Sequence, residues 1–223
     1  RAMKADLGAL LAGEGLPPAR AALAYGSGAF YQTGYDQGAE RPMLDLVLVV
    51  DNPREWHAEN LAHNGHHYAA VGALGVEAVC RLQEAPAGLY YNTLIEMRGE
   101  GYRGRLMKYG VISKTALLRD LCTWEWLYLA GRLHKPVHLG LDWSEFQGAL
   151  RDNLAHAVRA SLLLLPRTFS RFELYMTIAG LSYNGDIRMM FGEHPDKVRN
   201  IVEPSISQFG ELYGKTLEER FGG

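Results

Sequence analysis

The run "MLDLVLVV", residues 43–50, constrains the fold more than any other stretch of the chain. It is almost continuously apolar and rich in Val, the mark of a strand buried on both faces. One residue breaks it, Asp45. An unpaired buried carboxylate costs several kcal/mol, of the order of a domain's whole net stability. A cation, several N–H donors, or exposure at the strand's end must therefore offset Asp45.

The flanks of this strand organise the first half of the chain. "AALAY", residues 21–25, reads as a short strand running into "GSG". Residues 1–12 read as a helix. Behind the central strand, Asn52 can cap, Pro53 takes the first helical position and Glu55 stands at N3, so a helix starts there. Residues 71–83 read as a further helix. "GLYYNTLIEM" and "RLMKYGVI", separated by "RGEGYRG", read as a hairpin. The fold class is α/β (α+β), a mixed sheet with helices.

After Ile112 the texture turns helical. Ser113 caps "KTALLRDLCTWEWLYLAGRL", which is expected to break near its middle. Ser144 and Gln147 are spaced as a capping box for a helix over 145–165, whose apolar stripe runs Phe146, Leu150, Leu154, Val158, Leu162, Leu165. Ser170 and Glu173 make a second box, and "SYNGDIRM" carries an Asn-Gly turn signal. A soft boundary near residue 112 separates domains over 1–112 and 113–223.

Composition excludes several functions. Net charge is -2 over 223 residues, so no global basic field recruits nucleic acid. Cys80 and Cys122 match no metal spacing, and a reducing compartment fits best. The longest leucine run is cut short by Pro166, whereas a membrane span needs about 20 apolar residues. The N-terminal stretch, with Asp6 and Glu14, makes no convincing signal peptide. "HNGHH", with His57 upstream, fits no standard zinc spacing and reads as a polar helix end. "GSGAFY" lacks the third glycine of a dinucleotide fingerprint and the Gly-Lys-Ser/Thr of a P-loop.

What remains is a Gly-Ser turn after one strand and an Asp inside an apolar neighbour. That is the pattern of the nucleotidyltransferase superfamily, in which the turn holds triphosphate oxygens through N–H groups. The Asp there holds a divalent cation. The usual strand carries two carboxylates two residues apart, but positions 43 and 47 are Met and Val. Asp51 has the parity of Asp45 but lies about 20 Å along a straight strand, so it is read as closing the strand. Glu96, within "TLIEM", is the freer candidate for a second metal ligand; the alternative is an edge Glu facing water. Lys108, within "LMKYGVI", calls for an anion, or else snorkels to the surface.

The blocks "YGSGAFYQ", "PMLDLVLVVDNPREWHAENL", "GLYYNTL", "KYGVIS", "LYLAGRLHKPV", "LSYNGDIRM" and "ELYG" run in the order of one family. The chain resembles the mitochondrial translocator assembly and maintenance family, whose members act as CDP-diacylglycerol synthases. The resemblance implies a nucleotidyltransferase domain followed by a winged-helix-like one. It implies cytidylyl transfer from CTP to phosphatidic acid with Mg²⁺ and release of pyrophosphate, in phospholipid (cardiolipin and phosphatidylglycerol) biosynthesis. Tyr25, Gly26, Ser27 and Gly28 then form the nucleotide-binding turn, Asp45 holds the metal, and Lys108, Asp186 and Arg188 complete the site beside Asn184. Membrane contact is implied to be peripheral, and no nucleic acid is expected. A eukaryotic chain would sit on the matrix side of the mitochondrial inner membrane. A bacterial one would be cytoplasmic or peripheral on its inner membrane. Two other readings stay open: a nucleotidyltransferase with another acceptor, and a catalytically inert binding module.

Overall fold

The computed structural model describes residues 6–30, 42–183 and 196–221. The chain divides into two compact units. The first takes residues 1–31, 36–117 and 137–145; the second takes 32–35, 118–136 and 146–223. A single cut at 112 would strand residues 137–145 on the wrong side of the first unit's sheet.

In the first unit, helix α1 (Leu7–Gly13) is capped by the Asp6 carboxylate and precedes strand β1 (Ala21–Tyr25). The central strand β2 (Leu44–Val50) leads into α2 (Pro53–Asn64), which Asn52 caps through the N–H groups of Arg54 and Glu55. Then follow α3 (Val76–Glu84), β3 (Leu89–Glu96) and β4 (Leu106–Ser113). The expected hairpin forms between β3 and β4, with a bulge at Leu94, whose φ is 58°. A fifth strand, β5 (His138–Leu141), completes the sheet in the order β3-β4-β2-β1-β5. Only β2 and β4 pair in parallel; the other pairs are antiparallel.

Every β2 residue except Asp45 is at most 3% exposed, as a doubly buried strand requires. Leu44, Leu46, Leu48 and Val50 point into one core with Met107 and Tyr109. Asp45 and Lys108 belong to the opposite face, by the alternation of the pleat. Strand β5 was not foreseen from the sequence. It is held by Trp143, whose indole N–H donates to the Ala22 carbonyl at 3.0 Å, and by Gly140, where a Cβ would meet Leu7 Cβ at 2.6 Å.

Of the histidines in "HNGHH" only His67 serves this core, together with His57 upstream, while His63 and His66 are exposed. His57 and His67 are buried, and their ring nitrogens join a chain through Tyr68, Asn60 and Tyr109 with every bond between 2.7 and 2.8 Å. Since Gln83 Oε1 can only accept, His57 donates from Nε2 and receives the Tyr68 hydroxyl at Nδ1. Burial lowers both histidines to a pKa of about 4. Among the described residues no group of three His, Cys, Asp or Glu is placed to hold a metal.

Helix α4 (Lys114–Thr123), capped by the Ser113 hydroxyl, runs into the second unit. There the predicted break follows: Trp124 and Leu127 adopt φ of 55° and 52° before the short helix α5 (Leu129–Leu133). Such left-handed conformations are costly for these residues and need outside support. Asp120 supplies it. Its buried carboxylate accepts the N–H groups of Trp126, Leu129 and Ala130 at 3.1, 2.8 and 2.9 Å.

Among the described residues there follow the helices α6 (Gln147–Leu164), α7 (Arg171–Gly180), α8 (Lys197–Val202) and α9 (Ile206–Phe221). Their core includes Leu154, Val158, Ile178, Phe209 and Tyr213. The Ser170–Glu173 capping box is present on α7. The Ser144–Gln147 box is not: residues 144–146 form one 3₁₀ turn, and the Asp142 carboxylate accepts the Ser144 N–H instead. The apolar stripe of α6 is interrupted at Leu162, which is exposed, while Leu165 just beyond the helix packs against that core.

Candidate functional site

The site is built where β1 ends. Tyr25, its last residue, stands opposite Asp45 on β2, which stands opposite Lys108 on β4. Cross-strand partners share a face of the sheet, so register alone brings these three side chains together. Lys108 Nζ lies 3.2 Å from Asp45 Oδ1 and 4.8 Å from the centre of the Tyr91 ring. The Tyr91 hydroxyl in turn meets that of Tyr25 at 3.1 Å.

The carboxylate is only partly withdrawn from water, with 19% of its side chain exposed at the second position of the strand. Its Oδ1 is nevertheless buried and makes no hydrogen bond, since the Lys108 ammonium approaches off the bonding direction. The Asp45 problem posed by the sequence is thus answered in part by a cation and in part by position at the strand's entry.

The glycines of "GSG" have two separate reasons. Gly26 has φ of 73°, and a Cβ there would stand 2.9 Å from Asp45 Oδ2. Its carbonyl receives the N–H groups of Ala29 and Phe30, closing the turn over Ser27. Gly28 meets backbone instead: a Cβ would fall 2.1 Å from the Met43 carbonyl oxygen. The turn is therefore pressed directly onto the entry of β2. Arg105 locks it there, donating to the Gly28 carbonyl at 2.6 Å and to the Pro42 carbonyl at 2.9 Å. Phe30, which ends the turn, stacks on His138 of β5 at 4.2 Å. Sequence reasoning missed Arg105, which lies in a polar hairpin loop and gives no periodic signal.

Other candidates fall elsewhere. Glu96 is exposed and pairs with Leu106 at the far end of β3. Two strand spacings, about 10 Å, separate its strand from that of Asp45, so the sheet does not bring the two carboxylates together. Asp51 closes β2 and binds Arg20 through two bonds of 2.8 and 2.9 Å. Asn184, Asp186 and Arg188 lie outside the described residues.

The donor set can be tested against a magnesium ion. Mg²⁺ is commonly held by one or two carboxylates together with substrate phosphates. Asp45 fits that role through Oδ2, the carboxylate oxygen that faces Gly26 of the turn, while Oδ1 is turned to Lys108. Lys108 beside it offers a fixed positive charge to the same anion.

Comparison with known proteins identifies the family. The family described as "Phosphatidate cytidylyltransferase, mitochondrial" matches residues 14–222. Curated relatives of that name include one from Danio rerio, 48% identical over 202 residues, covering 89% of this chain and 58% of its own length. One from Homo sapiens is 46% identical over 202 residues, covering 89% of this chain and 43% of its own length. One from Schizosaccharomyces pombe is 44% identical over 198 residues, covering 88% of this chain and 49% of its own length. The chain thus spans roughly half the length of the relatives it matches. The resemblance read from the sequence blocks is upheld over nearly the whole chain, which belongs to the mitochondrial phosphatidate cytidylyltransferase family.

Proposed function

We propose that this chain transfers a cytidylyl group from CTP to phosphatidic acid, releasing pyrophosphate and forming CDP-diacylglycerol for phospholipid synthesis. The observation that carries the reading is the cross-strand set of Tyr25, Asp45 and Lys108 at the closed Gly26-Ser27 turn. The turn would form the floor for the triphosphate. A phosphate oxygen of phosphatidic acid would attack the α-phosphorus, forming one P–O bond as the bond to the β-phosphate oxygen breaks. The attacking group is already an anion, so positioning and charge neutralisation supply most of the catalysis. Lys108 would neutralise the triphosphate and the departing pyrophosphate. Mg²⁺, held by Asp45, would supply further neutralisation of phosphate charge when bound. Asp186 and Arg188 are proposed to act on the same phosphates, and Glu96 stays a proposal as a metal ligand.

Contact with the membrane is proposed to be peripheral. No helix among the described residues is long and apolar enough to cross a bilayer. The end of α6 instead presents Leu163 and Leu164, 87% and 63% exposed, followed by exposed Phe169 between Arg167 and Arg171. Apolar tips ringed by arginine suit an anionic lipid surface. The names of the relatives support a mitochondrial location; for a eukaryotic chain the proposed place is peripheral, on the matrix side of the inner membrane.

The test is incubation with each of the four nucleoside triphosphates, Mg²⁺ and vesicles of phosphatidic acid. CTP alone should give labelled CDP-diacylglycerol. Product from another nucleotide, or none with CTP, would overturn the reading.

A further inference from the structure

The second unit holds a cation that the proposed reaction does not use. Lys135, just beyond α5, is 7% exposed. Its Nζ donates to Ser182 Oγ at 2.7 Å and lies 4.7 Å from the centre of the Tyr183 ring. Both partners are neutral. No carboxylate forms an ion pair with it among the described residues. Among the described residues the charges that reach it are positive, those of Arg132 and Lys197, and Lys197 also approaches the Tyr183 ring, at 5.5 Å. Burial and these like charges push the Lys135 ammonium well below its ordinary range.

A lysine in that position is stable only if it loses its proton or gains an anion. The surroundings are shaped for the second. Gly131 is pressed against Ser182, where a Cβ would meet Ser182 Cβ at 2.3 Å, so the hydroxyl is held at the lysine by packing rather than by chance. Ser182 Oγ also reaches the Gly131 carbonyl at 3.5 Å, a weak contact that leaves it able to turn toward a ligand. A hydroxyl donor beside clustered cations, partly withdrawn from water, is the chemistry that recognises a phosphoryl group.

We propose that Lys135 and Ser182, in the field of Arg132 and Lys197, bind a phosphoryl anion: a phosphate monoester or pyrophosphate. The ligand has two sources under the cytidylyl-transfer reading, on which this inference rests. It is either the headgroup phosphate of the acceptor lipid or the phosphates of the nucleotide.

The test compares wild type with Lys135→Met, Lys135→Arg and Ser182→Ala, each titrated calorimetrically with sn-glycerol 3-phosphate, pyrophosphate and CTP in phosphate-free buffer. Wild type should bind a phosphoryl ligand, Lys135→Met should lose at least tenfold in affinity, and Lys135→Arg should keep most of it. Selective loss of glycerol 3-phosphate binding assigns the site to the acceptor; selective loss of pyrophosphate and CTP binding assigns it to the nucleotide. Met is close in volume and uncharged, so in ligand-free buffer that variant should melt no lower than wild type. The ligand should raise the melting temperature of wild type and Lys135→Arg well above any rise in Lys135→Met, as binding to the folded state requires. Should Lys135→Met fold poorly, Ser182→Ala, which removes a single hydroxyl, carries the same comparison. Affinities within twofold across wild type, Lys135→Met and Ser182→Ala, or no binding by wild type, would overturn the inference. The CTP specificity assay decides the cytidylyl-transfer reading separately, since it scores product rather than binding at Lys135.

Discussion

Gly28→Ala is the substitution that best separates a nucleotide-binding turn from an ordinary one. The added Cβ would stand 2.1 Å from the Met43 carbonyl oxygen, where real contacts respect 3.0 Å, so about 0.9 Å must be found. The β2 side cannot yield it. Met43 adjoins Leu44, which is fully buried in the core, and Arg105 ties both the Pro42 and the Gly28 carbonyls. The turn carrying Ser27 must therefore lift. Overpacking of this kind costs about 1–3 kcal/mol in stability. A displacement near 1 Å in a positioning element can cost about a hundredfold in rate. The strands themselves pair outside the turn, from Tyr25 and Leu44 onward, so the fold should survive. Steady-state kinetics on CTP and phosphatidic acid, beside a thermal melt, makes the check. The expected outcome is a folded protein with a modestly lower melting temperature and a loss of kcat/KM for CTP on the order of a hundredfold. A variant that loses stability while keeping wild-type kinetics would refute the assignment of the turn to the nucleotide.

Other outcomes follow from residues away from the turn. Asp120→Ala leaves two buried N–H groups and one part-buried one without their acceptor and should cost about 3 kcal/mol or more in a denaturant titration; a loss below about 1 kcal/mol would contradict its role in holding the strained Trp124–Leu127 turn. His57 and His134 are fully buried and titrate at about 4 and about 3, lowered chiefly by burial. Their folded-state values lie below the unfolded value of about 6.5, so the stability they contribute is complete above that pH and is lost as pH falls toward the folded values. Chemical denaturation should show a decline of about 1.4 kcal/mol per pH unit per histidine between roughly pH 6 and 4.5, with His57→Gln flattening the slope. Leu163→Ser with Leu164→Ser should leave turnover of a short-chain, water-soluble phosphatidic acid unchanged and reduce sedimentation with anionic vesicles; undiminished sedimentation would remove α6 from the membrane contact.

The sequence announced the site more clearly than it announced the architecture around it. Strand β2 was legible because burial on both faces leaves an unbroken apolar run, and Asp45 stood out against that run. The Gly-Ser turn was legible as a turn, but the distinct reasons for Gly26 and Gly28 are tertiary: one faces a side chain, the other a backbone about 50 Å of fully extended chain away. Strand β5 escaped because "HLGL" is short, lacks a strand run and follows a proline within a helical stretch. The Ser144–Gln147 box misled because Asp142, two residues earlier, competes for the Ser144 N–H. Lys135 gives no signal of its own in the sequence, and only its burial beside Ser182 sets it apart. For Glu96 the sequence carries no strand order, and β4 stands between its strand and that of Asp45.

The central claim is that Asp45 and the Gly-Ser turn hold the triphosphate of CTP with a divalent cation. Calorimetric titration of CTP into wild type and Asp45→Asn, with and without Mg²⁺, tests it most directly. The account predicts tight binding to wild type that needs Mg²⁺, and weak, Mg²⁺-insensitive binding to Asp45→Asn, whose amide keeps the shape but not the charge. Equal, Mg²⁺-dependent binding by both proteins would contradict it.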